Sequence, residues 1–349
     1  MKETTMRAVV FKGVRDLEIV ELPVPDIPAD RVLVEIKASA LCTWEQRVYS
    51  GVKEVKFPFV GGHEMSGKIL KIGGDVDKRH WREGDNVVIG ATLPCGSCYQ
   101  CKSGEEQNCA YFSHTRVIDG LPYTGMGGLC SHFIARTANL FKYSGVTHEE
   151  AALAEPLSCV IHSIETGNLQ FGEAVMVIGC GIMGLLHVIL AAKKGACVIA
   201  CDLDEDRLNL ASKLGAAFTI NPQKDKISQK ILKYTDGVKL QAIFDTTPIS
   251  EVAEDALKYL SNKGRLILYS SFYPDVPVQL SPDWLHKSGA SIIGSANSNP
   301  RDFMKAVRLL SYGIVDVKEL ISEVYEVNDI IKAFESAANG DKFRIIVRF

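Results

Sequence analysis

The run Gly179-Cys180-Gly181-Ile182-Met183-Gly184 constrains this chain most, because of what surrounds it. A short apolar segment, Ala174–Ile178, leads into the glycines, and a long apolar segment leads out of them. A strand that turns through G-x-G-x-x-G into a helix is the geometry that cradles a dinucleotide pyrophosphate. The first glycine permits the tight turn, the second lets backbone approach phosphate, and the third lets helix and strand pack closely. The helix start then offers free N–H groups and the positive end of its dipole. Downstream, CVIACD, AFTI, QAIFDTT and RLILYSS read as strands. They alternate with the helical patterns IMGLLHVILAAKKG, DEDRLNLASKLG and SEVAEDALKYLSNKG. That alternation predicts βαβ units and a parallel sheet, an α/β fold.

Asp202 ends the second strand, near the distance expected for an acid that accepts hydrogen bonds from the adenosine ribose. A carboxylate there repels a 2′-phosphate. The next four residues, Leu203, Asp204, Glu205 and Asp206, supply no cation to offset that repulsion. NAD(H) is therefore expected over NADP(H). The expected cofactor-binding residues are Gly179, Gly181, Ile182, Met183, Gly184, Asp202 and Arg207.

The chain has 349 residues, which suits two domains. Before the glycine loop it reads mostly as short strands, among them RAVVFKG, RVLVEIKAS, MSGKILKIG and DNVVIG. The first long helix is expected over THEEAALAEPLSCVIHSIETG, where Thr147 and Glu150 have capping-box spacing. After about Ser295 come two more helical patterns, PRDFMKAVRLLSYG and VNDIIKAFESAANG, and a closing strand, FRIIVRF. Net charge is −3 with no basic run, so no nucleic-acid footprint is expected. No uncharged apolar run is long enough to span a membrane. The amino terminus lacks the apolar core of a signal peptide, so a cytoplasmic location is expected.

Cysteine adds a second constraint. Of ten, Cys95, Cys98, Cys101 and Cys109 crowd into one lobe. In a reducing compartment such spacing favours metal over disulfide. Four thiolates close a tetrahedral shell, so a structural zinc is expected here, with an iron–sulfur cluster as the competing reading. Cys130, Cys159, Cys180, Cys197 and Cys201 are scattered and read as small buried hydrophobes. Cys42, His63, Glu64 and Glu155 are also far apart in sequence. One thiolate, one imidazole and one carboxylate would make a three-ligand zinc site with an open position. Spacing alone does not establish that site.

Together these pieces are recognisable. Cys42 after a strand, GHE at 62–64, the four-cysteine lobe, AEPL around Glu155 and VIGCGIMG occur in family order. The chain resembles the zinc-containing medium-chain dehydrogenase/reductase family, especially its sorbitol and threonine dehydrogenase-like branch. The resemblance implies a GroES-like, mostly-β catalytic domain from residues 1–157 and 295–349, with the zinc lobe at about 92–112. It implies a Rossmann domain at 158–294 and an active site in the cleft between the two. By similarity, Cys42, His63 and Glu155 hold a catalytic zinc and Glu64 is an adjacent or exchanging ligand. Two zinc ions per subunit, a homodimer or homotetramer and a small hydroxy or keto substrate follow. The implied reaction is hydride transfer between a secondary alcohol (a polyol, sugar or relative) and the nicotinamide.

The chain also departs from its relatives. Trp44 stands where they place a Ser or Thr that passes the alcohol proton toward solvent, and Arg47 where many have histidine. An indole donates one N–H and accepts nothing. Three readings stay open. Thr43 substitutes after a local backbone shift, or Glu64 or water carries the proton, or the reaction needs no relay. The last would be a specialised reductase or an oxidation–elimination enzyme. Trp44 is expected to wall the pocket, and Glu45, where relatives have Asp, to orient His63. Catalytic candidates are thus Cys42, Thr43, Trp44, Glu45, His63, Glu64 and Glu155. A non-catalytic NAD(H)-binding sensor is the reading from another class.

Overall fold

The structure is a computed structural model describing residues 5–90, 94–272 and 274–349. Positions 92 and 93 of the expected cysteine lobe lie outside the described residues. The chain divides into two compact units, Met1–Ser158 with Ser298–Phe349, and Cys159–Asn297.

In the first unit β1 (Thr5–Gly13), β2 (Asp16–Pro23) and β3 (Arg31–Ala40) are long strands. They are followed by β4 (Phe59–Val60), β5 (Glu64–Ile72), β6 (Asn86–Ile89), β7 (Thr124–Gly125), β8 (His132–Arg136) and β9 (Leu140–Lys142). Among the described residues the helices between them are short, including Thr43–Tyr49 and, in the cysteine lobe, Tyr99–Lys102. β3 packs Val32, Val34 and Ile36 into one apolar cluster, and Leu41 just beyond its end enters a second. One cluster gathers Val34, Ile36, Met65 and Ile89, the other Phe11, Leu41, Phe59 and Phe334. β3 pairs antiparallel with β5 so that Ala40 faces Glu64.

The expected single helix after Thr147 is two helices, His148–Ala152 and Ala154–Thr166. The Thr147–Glu150 capping box does start the first. Pro156 has no N–H to return to the Ala152 carbonyl, and its ring crowds that carbonyl, so the helix restarts.

The second unit holds β10 (Ala174–Ile178), β11 (Cys197–Cys201), β12 (Phe218–Ile220), β13 (Leu240–Asp245), β14 (Leu260–Leu268) and β15 (Ser291–Gly294). All pair in parallel, in the order β12-β11-β10-β13-β14-β15. This is the doubly wound order, whose switch point lies beside the first strand, where β10 runs into the glycine loop. Met176, Ile199, Ile243 and Leu266 fill one side of the sheet. β14 begins at Leu260, earlier than expected, because the helix before it ends at Ala256. Lys263 and a register shift against β13 absorb the polar residues that had read as loop. Two short helices, Ile227–Tyr234 and Pro282–Ser288, lie in stretches left unassigned from sequence.

The chain then returns to the first unit with helix Pro300–Ser311, β16 (Ile321–Glu326), helix Ile330–Ala338 and β17 (Arg344–Arg348). β17 pairs antiparallel with β3, setting Ile346 opposite Ala40. Among the described residues no helix is long and apolar enough to cross a membrane.

Candidate metal centres and glycine loop

Strand register assembles the first site. Cys42 caps the helix that follows β3, and His63 and Glu64 stand at the start of β5. Because Ala40 faces Glu64, the chain just beyond one strand meets the chain entering the other. Gly62 allows this turn: its φ is +88°, and a Cβ there would lie 2.5 Å from Leu129 N. Sulfur, imidazole and carboxylate ligand atoms of Cys42, His63 and Glu64 all lie within 4.8 Å of one another. Glu64, expected as an adjacent or exchanging ligand, is in that group, and Glu155, expected as the third ligand, is not. Glu155 stands in the first turn of helix Ala154–Thr166, where its charge reaches Arg344.

Buried partners hold each donor. Glu45 Oε1 accepts hydrogen bonds from His63 Nδ1 and from the Gly62 N–H, both at 2.9 Å. With Nδ1 engaged, Nε2 is the ring atom left to face a metal. Burial alone would raise the Glu45 carboxyl, but the charge and hydrogen bond of His63 outweigh it and hold it below the ordinary range. Burial disfavours a charged His63, yet Glu45 and Cys42 together raise its pKa well above normal. Burial, then the charge of Glu64, pushes the Cys42 thiol up. Glu64 is fully buried and is gripped through both oxygens by Arg344 of β17, with Nε at 2.9 Å from Oε2. Sequence reading missed Arg344; the available signal was an arginine inside the apolar closing strand FRIIVRF.

Trp44 stacks on His114, with ring centroids 5.0 Å apart and planes 13° from parallel, and meets Phe59 edge-on. Burial, then the charge of His63, pushes His114 down to about 4. His114 was not singled out from sequence. Thr43 is exposed, and Arg47 is half-buried on the same helix.

The four lobe cysteines also bring their sulfurs within 4.8 Å of one another. The Sγ separations Cys98–Cys101, Cys95–Cys101 and Cys98–Cys109 are 3.5, 3.9 and 3.9 Å. A tetrahedron with zinc–sulfur bonds of ~2.3 Å has edges of ~3.8 Å, so the set fits zinc. The Ser97 hydroxyl and the Ser97 and Cys98 N–H groups donate to Cys95 Sγ, drawing that thiol down to about 6.

In the second unit Gly179 has φ +87°, and a Cβ on Gly184 would lie 1.7 Å from Gly179 O. Nothing stands within 4 Å of a Cβ on Gly181, so the loop is open above it. Ile182 and Met183 begin helix Ile182–Lys193, which has no side-chain cap. Asp202 Oδ2 accepts from the Cys180 N–H at 2.6 Å, and Oδ1 accepts from the Asp204 N–H at 2.9 Å. Arg207 Nε lies 3.9 Å from Asp204. Asp245, at the end of β13, is buried and raised to about 6 by that burial, with Oδ2 making no hydrogen bond.

Comparison with known proteins agrees with this architecture. Residues 28–145 match the alcohol dehydrogenase GroES-like domain and residues 183–312 match the zinc-binding dehydrogenase domain. Sorbitol dehydrogenase of Bacillus subtilis (strain 168) is 30% identical over 343 residues, spanning 95% of this chain and 93% of that one. The chain belongs to the zinc-containing medium-chain dehydrogenase family. Two solved structures share the fold of this family. A zinc-binding dehydrogenase of Sinorhizobium meliloti 1021 bound to NADP has a TM-score of 0.90 at 20% identity, over 99% of this chain and 100% of that one. An Escherichia coli CFT073 alcohol dehydrogenase complexed with NADH has a TM-score of 0.87 at 24% identity, over 99% and 100%. The protein is thus an oxidoreductase of the zinc alcohol dehydrogenase type, with a GroES-like and a Rossmann domain.

Proposed function

We propose that this dehydrogenase uses NAD(H) to interconvert a secondary alcohol of the polyol or sugar class with its ketone. In this reading one zinc is held by Cys42, His63 and Glu64, and a second by Cys95, Cys98, Cys101 and Cys109. The carrying observation is that a thiol, an imidazole and a carboxylate from separate segments meet within 4.8 Å. When bound, zinc supplies a Lewis acid for the carbinol oxygen and the nicotinamide supplies the hydride acceptor.

The chain's own residues do the positioning. Glu45 fixes the His63 ring through Nδ1, and the Gly62 N–H fixes Glu45 in turn. Arg344 balances the charge of Glu64 through a buried ion pair beside the thiol. Trp44 and His114 stack on each other, and their aromatic edges and remaining faces favour the carbon face of a sugar-like molecule. Backbone N–H groups anchor Asp202 beside the glycine loop, where its charge favours ribose hydroxyls over a 2′-phosphate. The likeness to a sorbitol dehydrogenase supports the polyol class.

The test is direct. Purified protein should carry about two zinc ions per subunit and reduce NAD faster than NADP with some member of a polyol panel. Fully zinc-loaded protein that turns over no alcohol would overturn the reading.

A further inference from the structure

A cluster of arginines in the first unit has no part in the chemistry above. β8 pairs antiparallel with β3 so that Arg136 stands directly opposite Arg31. Like charges opposed across two strands repel. A third guanidinium, Arg116, is half-buried in the segment that follows the cysteine lobe. Asp30 and Asp119 stand among these cations. Asp30 pairs with Arg31, and Asp119 Oδ2 lies 4.0 Å from Arg31 Nε, which is buried and makes no hydrogen bond. Both acids are themselves mostly exposed to water, which screens them. Burial lowers Arg116 to about 10; Asp119 opposes that shift and Arg136 adds to it.

Three of these charged residues face a cavity. Arg116, Arg136 and Asp119 line a space of about 640 Å³ together with Tyr111, Phe112 and Asn139. Cys42, His63 and Glu64 do not line it. A row of side chains leads toward it. From Tyr111 to Val117 burial alternates, with Phe112, His114 and Arg116 half-buried and the residues between them exposed. The segment is irregular, turning at His114 and Thr115, yet the three half-buried side chains follow one another along it. His114 lies against Trp44 and Phe112, while Arg116 opens on the cavity.

We propose that this cavity is an oxyanion-binding site in which Arg116 and Arg136 bind the phosphate or carboxylate of a small organic molecule. Guanidinium forks match the two oxygens of such a group, and a low-dielectric wall strengthens the pairing. The anion relieves the repulsion that the β3–β8 register imposes. It is either the charged end of a substrate lying along the row past Phe112 and His114, or a free anion bound on its own account. The site itself follows from the charge arrangement and does not depend on the proposed reaction.

Calorimetric titration of the zinc-loaded full chain with inorganic phosphate and with succinate tests it. Ionic strength is matched with chloride, and NADH is kept at saturation to occupy the glycine loop. The expected result is saturable binding that weakens at least about tenfold in Arg116→Gln and in Arg136→Gln, each removing charge-assisted hydrogen bonds. Arg136 is exposed, so its variant reports even if Arg116→Gln misfolds. No saturable binding in the native chain, or equal affinity in both variants, overturns the proposal. A kinetic arm separates the two sources. If the KM of a polyol phosphate rises relative to that of the neutral polyol in Arg116→Gln, the anion is part of the substrate. If phosphate binding is lost while that ratio stays fixed, the anion is a separate ligand. Absence of any turnover would count against the proposed reaction and leave the binding result intact.

Discussion

Replacing Arg344 with methionine isolates the least expected part of the metal centre. Arg344 is 3% exposed and Glu64 is fully buried, and the two are joined through both carboxylate oxygens. Methionine keeps much of the volume and removes the charge, leaving a buried carboxylate uncompensated. Breaking a buried pair from one side costs about 3–5 kcal/mol. For a domain of this size, that corresponds to a loss of roughly 6–20 °C in melting temperature. The companion variant, Glu64→Met with Arg344→Met, removes both charges and recovers most of the loss, since a buried pair stabilises little against an apolar replacement. Thermal and urea unfolding read both variants with zinc in the lobe only, because the double variant also removes Glu64 from the proposed Cys42–His63–Glu64 centre. The single variant should also lose less when zinc-loaded, because a cation beside Cys42 and His63 offsets part of the missing guanidinium. A single variant within about 1 kcal/mol of the native chain, or a double variant as unstable as the single, would refute the reasoning.

Other perturbations address other parts of the chain. Asp202→Asn keeps an acceptor for the Cys180 N–H but removes the charge, so the NADP-to-NAD ratio of kcat/KM should rise by about tenfold or more in steady-state assays. Cys98→Ser should lower zinc content from about two ions per subunit to about one, with the lobe becoming sensitive to proteolysis. Asp245 is raised by burial to about 6, so the folded state holds its proton where the unfolded chain has lost it. Its contribution to stability therefore falls as pH rises from about 4 to about 6. Native stability minus that of Asp245→Asn should drop across that window by on the order of 3 kcal/mol in urea unfolding, and a flat difference would reject the burial explanation. Gly184→Ala should abolish cofactor binding or fold, because its Cβ would sit 1.7 Å from Gly179 O; unaltered NADH affinity by fluorescence titration would contradict this.

What sequence could reveal depended on how local each feature is. The glycine loop and the cysteine lobe are each written within about fifteen residues, and their chemistry follows from spacing alone. The parallel sheet was legible because strands and helices alternate at regular lengths. The meeting of Glu64 with Cys42 and His63 was not legible, because it is made by the pairing of β3 with β5. Arg344 comes to Glu64 from 280 residues away, through a β17–β3 pairing that no short pattern encodes. His114 belongs to an irregular segment, so its stack on Trp44 was invisible until both were placed. The interrupted helix around Leu153 was within reach: Pro156 carried the signal, and the apolar pattern on either side masked it.

Anomalous diffraction at the zinc edge, on crystals of enzyme assayed as active, tests the central claim most directly. Two peaks per chain are expected, one among the four lobe sulfurs and one within about 2.0–2.3 Å of Cys42 Sγ and a His63 ring nitrogen. A lobe peak alone, in protein that still oxidises its alcohol, would contradict the Cys42–His63–Glu64 centre.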